Sequence, residues 1–304
     1  MAADAYLLIL AMLALGVLSR RHVTRPDRIA EVLNSVVLYL CLPAAVLRHA
    51  PRMQLDASAV AVVAVPWLLL LATWMMVTAT TRLLSLRHDE HAVLLLTVGL
   101  GNTSFLGYPL IRALLGEAAL ADAVLYDQLG AFMMLSTFGL YVLARHGGDR
   151  EPSLRDIAVR MIRFPPFLAL LLGLTVMPAD PPAWLATGLR WLGAALLPLV
   201  MLAIGLTLKL VLPRDEIKPL AAGLALKLAV IPLLSLALAT GFGLVGHRLD
   251  VVVLESAMPP MITAAALAIS HRLAPGLAAA MVAYGILISL LTVPLWAWLL
   301  RAMG

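Results

Sequence analysis

The stretch "GLGNTSFLGYP", Gly99 to Pro109, interrupts a run of apolar residues that otherwise reads as the middle of a membrane-spanning helix. Three glycines, an asparagine, two hydroxyls and a proline stand where water cannot repair a broken backbone. A peptide group left unpaired in hydrocarbon costs several kcal/mol, so irregular backbone survives there only if it is buried in protein or lines a cavity. The sequence therefore predicts an interrupted crossing, with helix lost around Asn102 to Tyr108 and restarted at Pro109. Proline suits the first turn of a restarted helix, because the N–H it lacks would have no partner there. Taken alone, the stretch also fits a plain proline kink, with Gly99, Gly101 and Gly107 allowing close helix packing.

The chain around it belongs in lipid. Of its 304 residues 62% are hydrophobic and 13% charged, and the mean hydropathy is +0.99. No soluble core absorbs that much apolar surface, whereas runs of about 20 residues match a hydrocarbon layer of ~30 Å. Apolar segments fall at 5–19, 30–47, 57–81, 91–115, 123–144, 164–178, 184–211, 219–245, 250–271 and 275–300. The expected fold is an all-α polytopic membrane protein with ten crossings, the first and sixth short enough to be re-entrant or interfacial. The first apolar run has its arginines after it, so it reads as a retained crossing and not as a cleaved leader.

The formal charge is +5 and the pI near 9.7, but the basic residues are dispersed between apolar runs and point to topology, with no nucleic-acid partner. Fifteen of the 22 Lys and Arg are counted on the side reached after odd-numbered segments, six on the other side, and Lys227 lies inside the eighth. That bias predicts both termini on the periplasmic side of a bacterial inner membrane. The single Cys41 excludes a disulfide framework or a cysteine metal site. Metalloprotease, P-loop and nucleophile-elbow motifs are lacking, so no enzyme activity, cofactor or bound metal is expected. An ion gradient, the membrane potential or the solute's own gradient must then drive any transport.

Prolines make a repeat visible. Pro43, Pro66 and Pro109 recur in the same order as Pro198, Pro232 and Pro259. Five crossings per half is an odd number, so the halves, 1–145 and 164–304, are predicted to be inverted repeats joined by a cytoplasmic connection at 146–163. The second break is expected in "ESAMPPMITA", with Pro259 or Pro260 restarting the helix. Helix N-termini expose N–H groups and roughly half a positive charge. Two of them meeting in the membrane would attract a carboxylate, with Asn102, Thr103 and Ser104 as polar neighbours and Gly107, Pro109, Met258, Pro259 and Pro260 lining the breaks.

Ionisable residues inside crossings are expensive and usually functional. Asp127, followed by Gln128, and Glu255 are candidates for carrying a coupled proton or cation; the alternatives are a hydrogen-bonded structural carboxylate and an interfacial one. Lys227, five residues before Pro232, either offers a cation near the solute path or snorkels to the surface. The fourteen methionines read as packing material.

"GNTSFLGYPLIRALLGE", Gly101 to Glu117, resembles the fourth span of the auxin efflux carrier family, the PIN-like permeases, at Asn102, Thr103, Gly107, Pro109, Leu110, Arg112, Ala113, Gly116 and Glu117. "LNSVVLYLCLPAAVL", "LLPLVMLAIGLTL", "KLAVIP" and "ESAMPPMITAAALA" are similar to its second, seventh, eighth and ninth spans. The resemblance implies a five-plus-five inverted repeat of the sodium/bile-acid symporter type, with spans 4 and 9 crossing as broken helices. It also implies homodimers through a scaffold of spans 1, 2, 6 and 7, while spans 3–5 and 8–10 move as an elevator. Asn102, Pro109 and Pro259 would contact the carboxylate of a small organic anion. Asp56 matches the acid of an acid–lysine pair in plant members, but Val60 stands at the lysine position. The short central connection resembles bacterial permeases, which implies malate, malonate or an auxin-like acid as substrate. The expected function is a secondary carrier of such anions; the alternatives are an ion-coupled relative and an anion-binding membrane sensor that does not transport.

Overall fold

The computed structural model describes residues 2–148, 153–208, 210 and 214–303, so residues 149–152 of the central connection and Lys209 lie outside the described residues. It is 85% helical, with no strand among the described residues. Among the described residues six helices are long and apolar enough to cross a membrane: Pro26–Arg52, Ala57–Leu84, Glu117–Gly147, Ala183–Thr207, Ile217–Gly241 and Pro275–Met303. A seventh is reached if helices Leu154–Arg163 and Pro165–Thr175, bent by 75°, count as one. The three further crossings expected from sequence differ for identifiable reasons. The first helix is Ala2–Ser19, with an apolar stretch at Tyr6–Ser19, and the fourth and ninth apolar segments are each split in two, as His88–Gly99 with Tyr108–Leu115 and as Gly246–Ser256 with Ile262–Ser270. The central connection is not all loop, since Leu154–Arg163 is an amphipathic helix without a buried residue.

The chain forms two compact units. The first comprises Met1–Gln54, Ser104–Val124 and Met161–Leu208, and the second Leu55–Thr103, Leu125–Arg160 and Lys209–Gly304.

In the first unit, helices Ala2–Ser19 and Ala183–Thr207 pack with backbones in near contact. A Cβ on Gly205 would stand 2.4 Å from the Leu13 carbonyl oxygen and 2.8 Å from the Gly16 Cα. Without a hydrophobic force between helices in lipid, such small-residue contacts are what dispersion attraction needs to hold a pair together. Around them Ile9, Leu42, Val46, Leu170, Val200 and Met201 are buried.

In the second unit the long spans carry prolines and π-turns, and indole groups repair two of the places where the helical ladder fails. Pro232 cannot bond the carbonyl of Leu228, four residues back, and Trp296 Nε1 donates to that oxygen at 3.0 Å. Trp67 Nε1 donates to Leu129 O at 3.1 Å, inside the π-turn Asp127–Ala131. Both tryptophans thereby keep a satisfied N–H, while the Trp67 ring itself stays exposed.

Gly205→Ala should force backbone apart and lower stability by about 1–3 kcal/mol, read as an earlier thermal transition in detergent. Gly188→Ala, on the same helix with nothing within 4 Å of its Cβ position, should leave the transition where it is. Equal transitions for the two variants would remove the close-packing argument.

Candidate functional site

Both breaks belong at least partly to the second unit, and there they repair each other. Leu100 leaves the helix in extended conformation at φ −115°, ψ 116°. Gly101 pairs with Pro260 as an isolated antiparallel bridge. Asn102 N–H donates to Pro259 O at 2.8 Å and Met261 N–H to Leu100 O at 2.9 Å. Two short extended arms thus exchange the hydrogen bonds that lipid cannot supply.

This geometry corrects the sequence expectation in two respects. Helical structure resumes at Thr103 as the π-turn Thr103–Gly107, which runs into Tyr108–Leu115 with Pro109 in its first two positions. The irregular part is therefore Leu100 to Asn102, narrower than expected, because a π-turn already houses the approach to the proline. In the second break neither Pro259 nor Pro260 opens a helix: Met261 caps Ile262–Ser270, and the prolines form the extended arm. The backbone N–H groups of Asn102 and Met261 are also committed to the pairing. The side-chain amide of Asn102 is the donor left over, since Nδ2 is buried without a hydrogen-bond partner. Met258, Pro259 and Pro260 are buried as well. Ser104, Gly107 and Pro109 lie in the first unit.

A polar cluster lies behind the paired arms. Thr103 Oγ1 donates to Asp127 Oδ1 at 2.5 Å, and Gln128 Nε2 to Asp127 Oδ2 at 2.7 Å. All three side chains are buried, so Asp127 sits in a dedicated cradle. Lys227 does not snorkel: it is 3% exposed and its Nζ donates to Ser256 O at 3.3 Å. A Cβ on Gly101 would stand 3.1 Å from that Nζ, so the glycine makes room for the ammonium group to approach the bridge. Glu255 is 0% exposed, and neither carboxylate oxygen has a hydrogen-bond partner. Lys227, Glu255, Thr103, Tyr126 and Ser256 line a cavity of about 10 Å³, the size of one water. An organic anion does not fit there; a proton, water or bare cation is the right scale. Among the described residues no cluster of three or more His, Cys, Asp or Glu could hold a metal ion.

Asp56 is separate from this cluster. It caps helix Ala57–Leu84 through Ala59 N–H at 3.0 Å and pairs with Arg248 Nη1 at 2.5 Å, while Arg248 also bonds Ser58. The Ser58 hydroxyl and the Ala59 N–H, with Arg248 beside them, hold its carboxyl down at about 2. Arg248, 192 residues away in sequence, gave no local signal of this partnership.

Residues 1–297 match the family described as membrane transport protein. The chain belongs to that family. It is the one to which the motif at Gly101 to Glu117 pointed. The chain is 27% identical over 303 residues to an uncharacterized transporter of Methanothermobacter thermautotrophicus, covering 96% of each chain. It is 26% identical over 308 residues to an uncharacterized transporter of Methanocaldococcus jannaschii, covering 98% of each. This membrane transport protein therefore aligns with its relatives from end to end, with both breaks inside the matched length.

Thr103→Val keeps the shape of the cradle but removes a donor from a buried carboxylate, and should lower stability by about 1.5–3 kcal/mol in thermal unfolding. Thr103→Ser should recover most of the loss. A valine variant as stable as the parent would mean that Asp127 does not depend on this bond.

Proposed function

We propose that this family member is a secondary carrier that moves a small organic carboxylate, of the malate, malonate or auxin-like kind, across a bacterial inner membrane. The observation that carries the reading is the buried Asn102 amide, which has no partner of its own and is held at the end of a backbone bridge between two interrupted segments. A buried donor left unsatisfied costs about 1–3 kcal/mol, and a carboxylate that takes it up recovers that energy on binding. Counting the short first helix and both interrupted segments yields ten crossings, arranged as two inverted halves with both termini periplasmic. The division of the chain into two compact units supports alternating access by displacement of one body against another, in an elevator cycle with a homodimeric scaffold of spans 1, 2, 6 and 7. In proteoliposomes Asn102→Ala should abolish accumulation of a transported carboxylate without changing the thermal transition. Transport that persists at the parental rate would defeat the reading.

Coupling to an ion is favoured by a different observation. Glu255 and Lys227 share a water-sized cavity in which the glutamate has no hydrogen-bond donor. A carboxylate so placed exchanges a proton more readily than it binds an organic solute. Carboxylate flux should respond to an imposed proton gradient and lose that response, but not flux itself, in Glu255→Gln. A gradient response unchanged in the variant would take the coupling away from Glu255, and a parent that does not respond would be a uniporter.

A further inference from the structure

No residue of helix Leu154–Arg163 is buried, yet both its ends are fixed by local chemistry. The Ser153 N–H and hydroxyl both donate to Asp156 Oδ2, at 2.9 and 2.6 Å, and Asp156 N–H donates to the Ser153 hydroxyl at 3.2 Å. That reciprocal cap satisfies donors which the first turn of a helix otherwise leaves open. At the far end Phe164 precedes Pro165, and proline pushes the residue before it out of helical conformation. Phe164 is accordingly extended, at φ −85°, ψ 112°, and helix Pro165–Thr175 departs at 75°.

The ten residues divide by chemistry around the helix axis. At about 3.6 residues per turn, Leu154, Ile157, Ala158, Met161 and Ile162 share one arc of roughly 140°. Arg155 and Arg160 border that arc on either side, while Arg163, Asp156 and Val159 face away from it. The arc is open, with Leu154 86% exposed and Ile162 58%. A helix this short is marginal in water and draws most of its stability from packing of its apolar face. The chain does not bury that face, so something beside the chain must receive it. The helix that follows carries no charged residue and exposes Leu168, Leu171 and Leu172, as a helix in hydrocarbon does. A segment joined to it at 75° runs close to the plane of the membrane surface.

We propose that the apolar face of Leu154–Arg163 docks on the bilayer surface and that Arg155, Arg160 and Arg163 make it select anionic phospholipid headgroups. An apolar stripe flanked by arginines is the pattern that holds a helix at the boundary of headgroups and acyl chains. Three arginines against the single Asp156, which the Ser153 cap already engages, give the helix the charge opposite to such lipids. A protein groove could also receive the stripe, but the apolar helix joined to this one brings it beside lipid. The inference does not rest on the carrier reading.

The test uses the full-length protein in nanodiscs of phosphatidylcholine, with or without phosphatidylglycerol. Ala158→Cys in a Cys41→Ser background carries an environment-sensitive fluorophore on the apolar arc, Val159→Cys carries it on the opposite side, and bromine-labelled acyl chains serve as quencher. With phosphatidylglycerol the probe at 158 should be blue-shifted and quenched, and the probe at 159 should not. Arg155→Gln, Arg160→Gln and Arg163→Gln should each lower the ratio of docked to free helix about fivefold, in phosphatidylglycerol discs only. Salt at about 1 M, which shortens the screening length to about 3 Å, should weaken docking without any substitution. Leu154→Ser with Ile162→Ser should release the probe in either lipid. Equal quenching at 158 and 159 overturns the proposal, as does docking indifferent to phosphatidylglycerol, salt and the arginines. A probe at 158 that stays in water in every disc also overturns it and leaves the face to a protein partner; none of these outcomes touches transport.

Discussion

Four peptide groups, at Leu100, Asn102, Pro259 and Met261, hold the second unit in its observed form. In hydrocarbon a helix can stop only where something else receives its hydrogen bonds. Here the receiver of each interruption is the other one. Both breaks are therefore parts of a single structure: if either arm regained helical form, the other would lose its partner. That mutual dependence explains why irregular backbone is stable in so apolar a chain.

The polar residues behind the bridge are held by the same economy of donors and acceptors. Asp127 has Thr103 and Gln128, Lys227 has the Ser256 carbonyl, and Leu228 and Leu129 carbonyls have tryptophan indoles. Against that background the atoms without partners stand out. The Asn102 amide and the Glu255 carboxylate are buried and unsatisfied. Most buried polar groups in folded proteins are paired, so orphans mark places where something other than the chain completes the structure. The two differ in scale: Asn102 ends a bridge, whereas Glu255 borders a space of about 10 Å³, too small for an organic solute.

In the first unit charge and packing divide the work differently. Gly16 and Gly205 bring two helices to backbone contact, and Arg112 and Glu117, both within the family motif, meet Arg48 and His49 from a distant stretch of chain. The motif was readable as a string, yet nothing in it announced that its last residue would be shared among three cationic or basic groups.

The sequence by itself determined that the chain is helical, that it is apolar enough for a multi-pass membrane protein and that two apolar segments are interrupted, because apolar run length and the cost of unpaired peptide groups act locally and leave a local record. It also marked Asn102, Asp127, Lys227 and Glu255 as polar residues at unusual depth. Only the tertiary structure decided where helix resumes, at Thr103 and Ile262 and not at the prolines, since the end of a helix is set by which partner receives its hydrogen bonds. The same holds for Lys227, buried against Ser256 and not at the surface, and for Asp56, whose partner Arg248 is 192 residues away. Pairing across such separations depends on how helices pack, and packing among equally apolar surfaces leaves almost no trace in a single sequence.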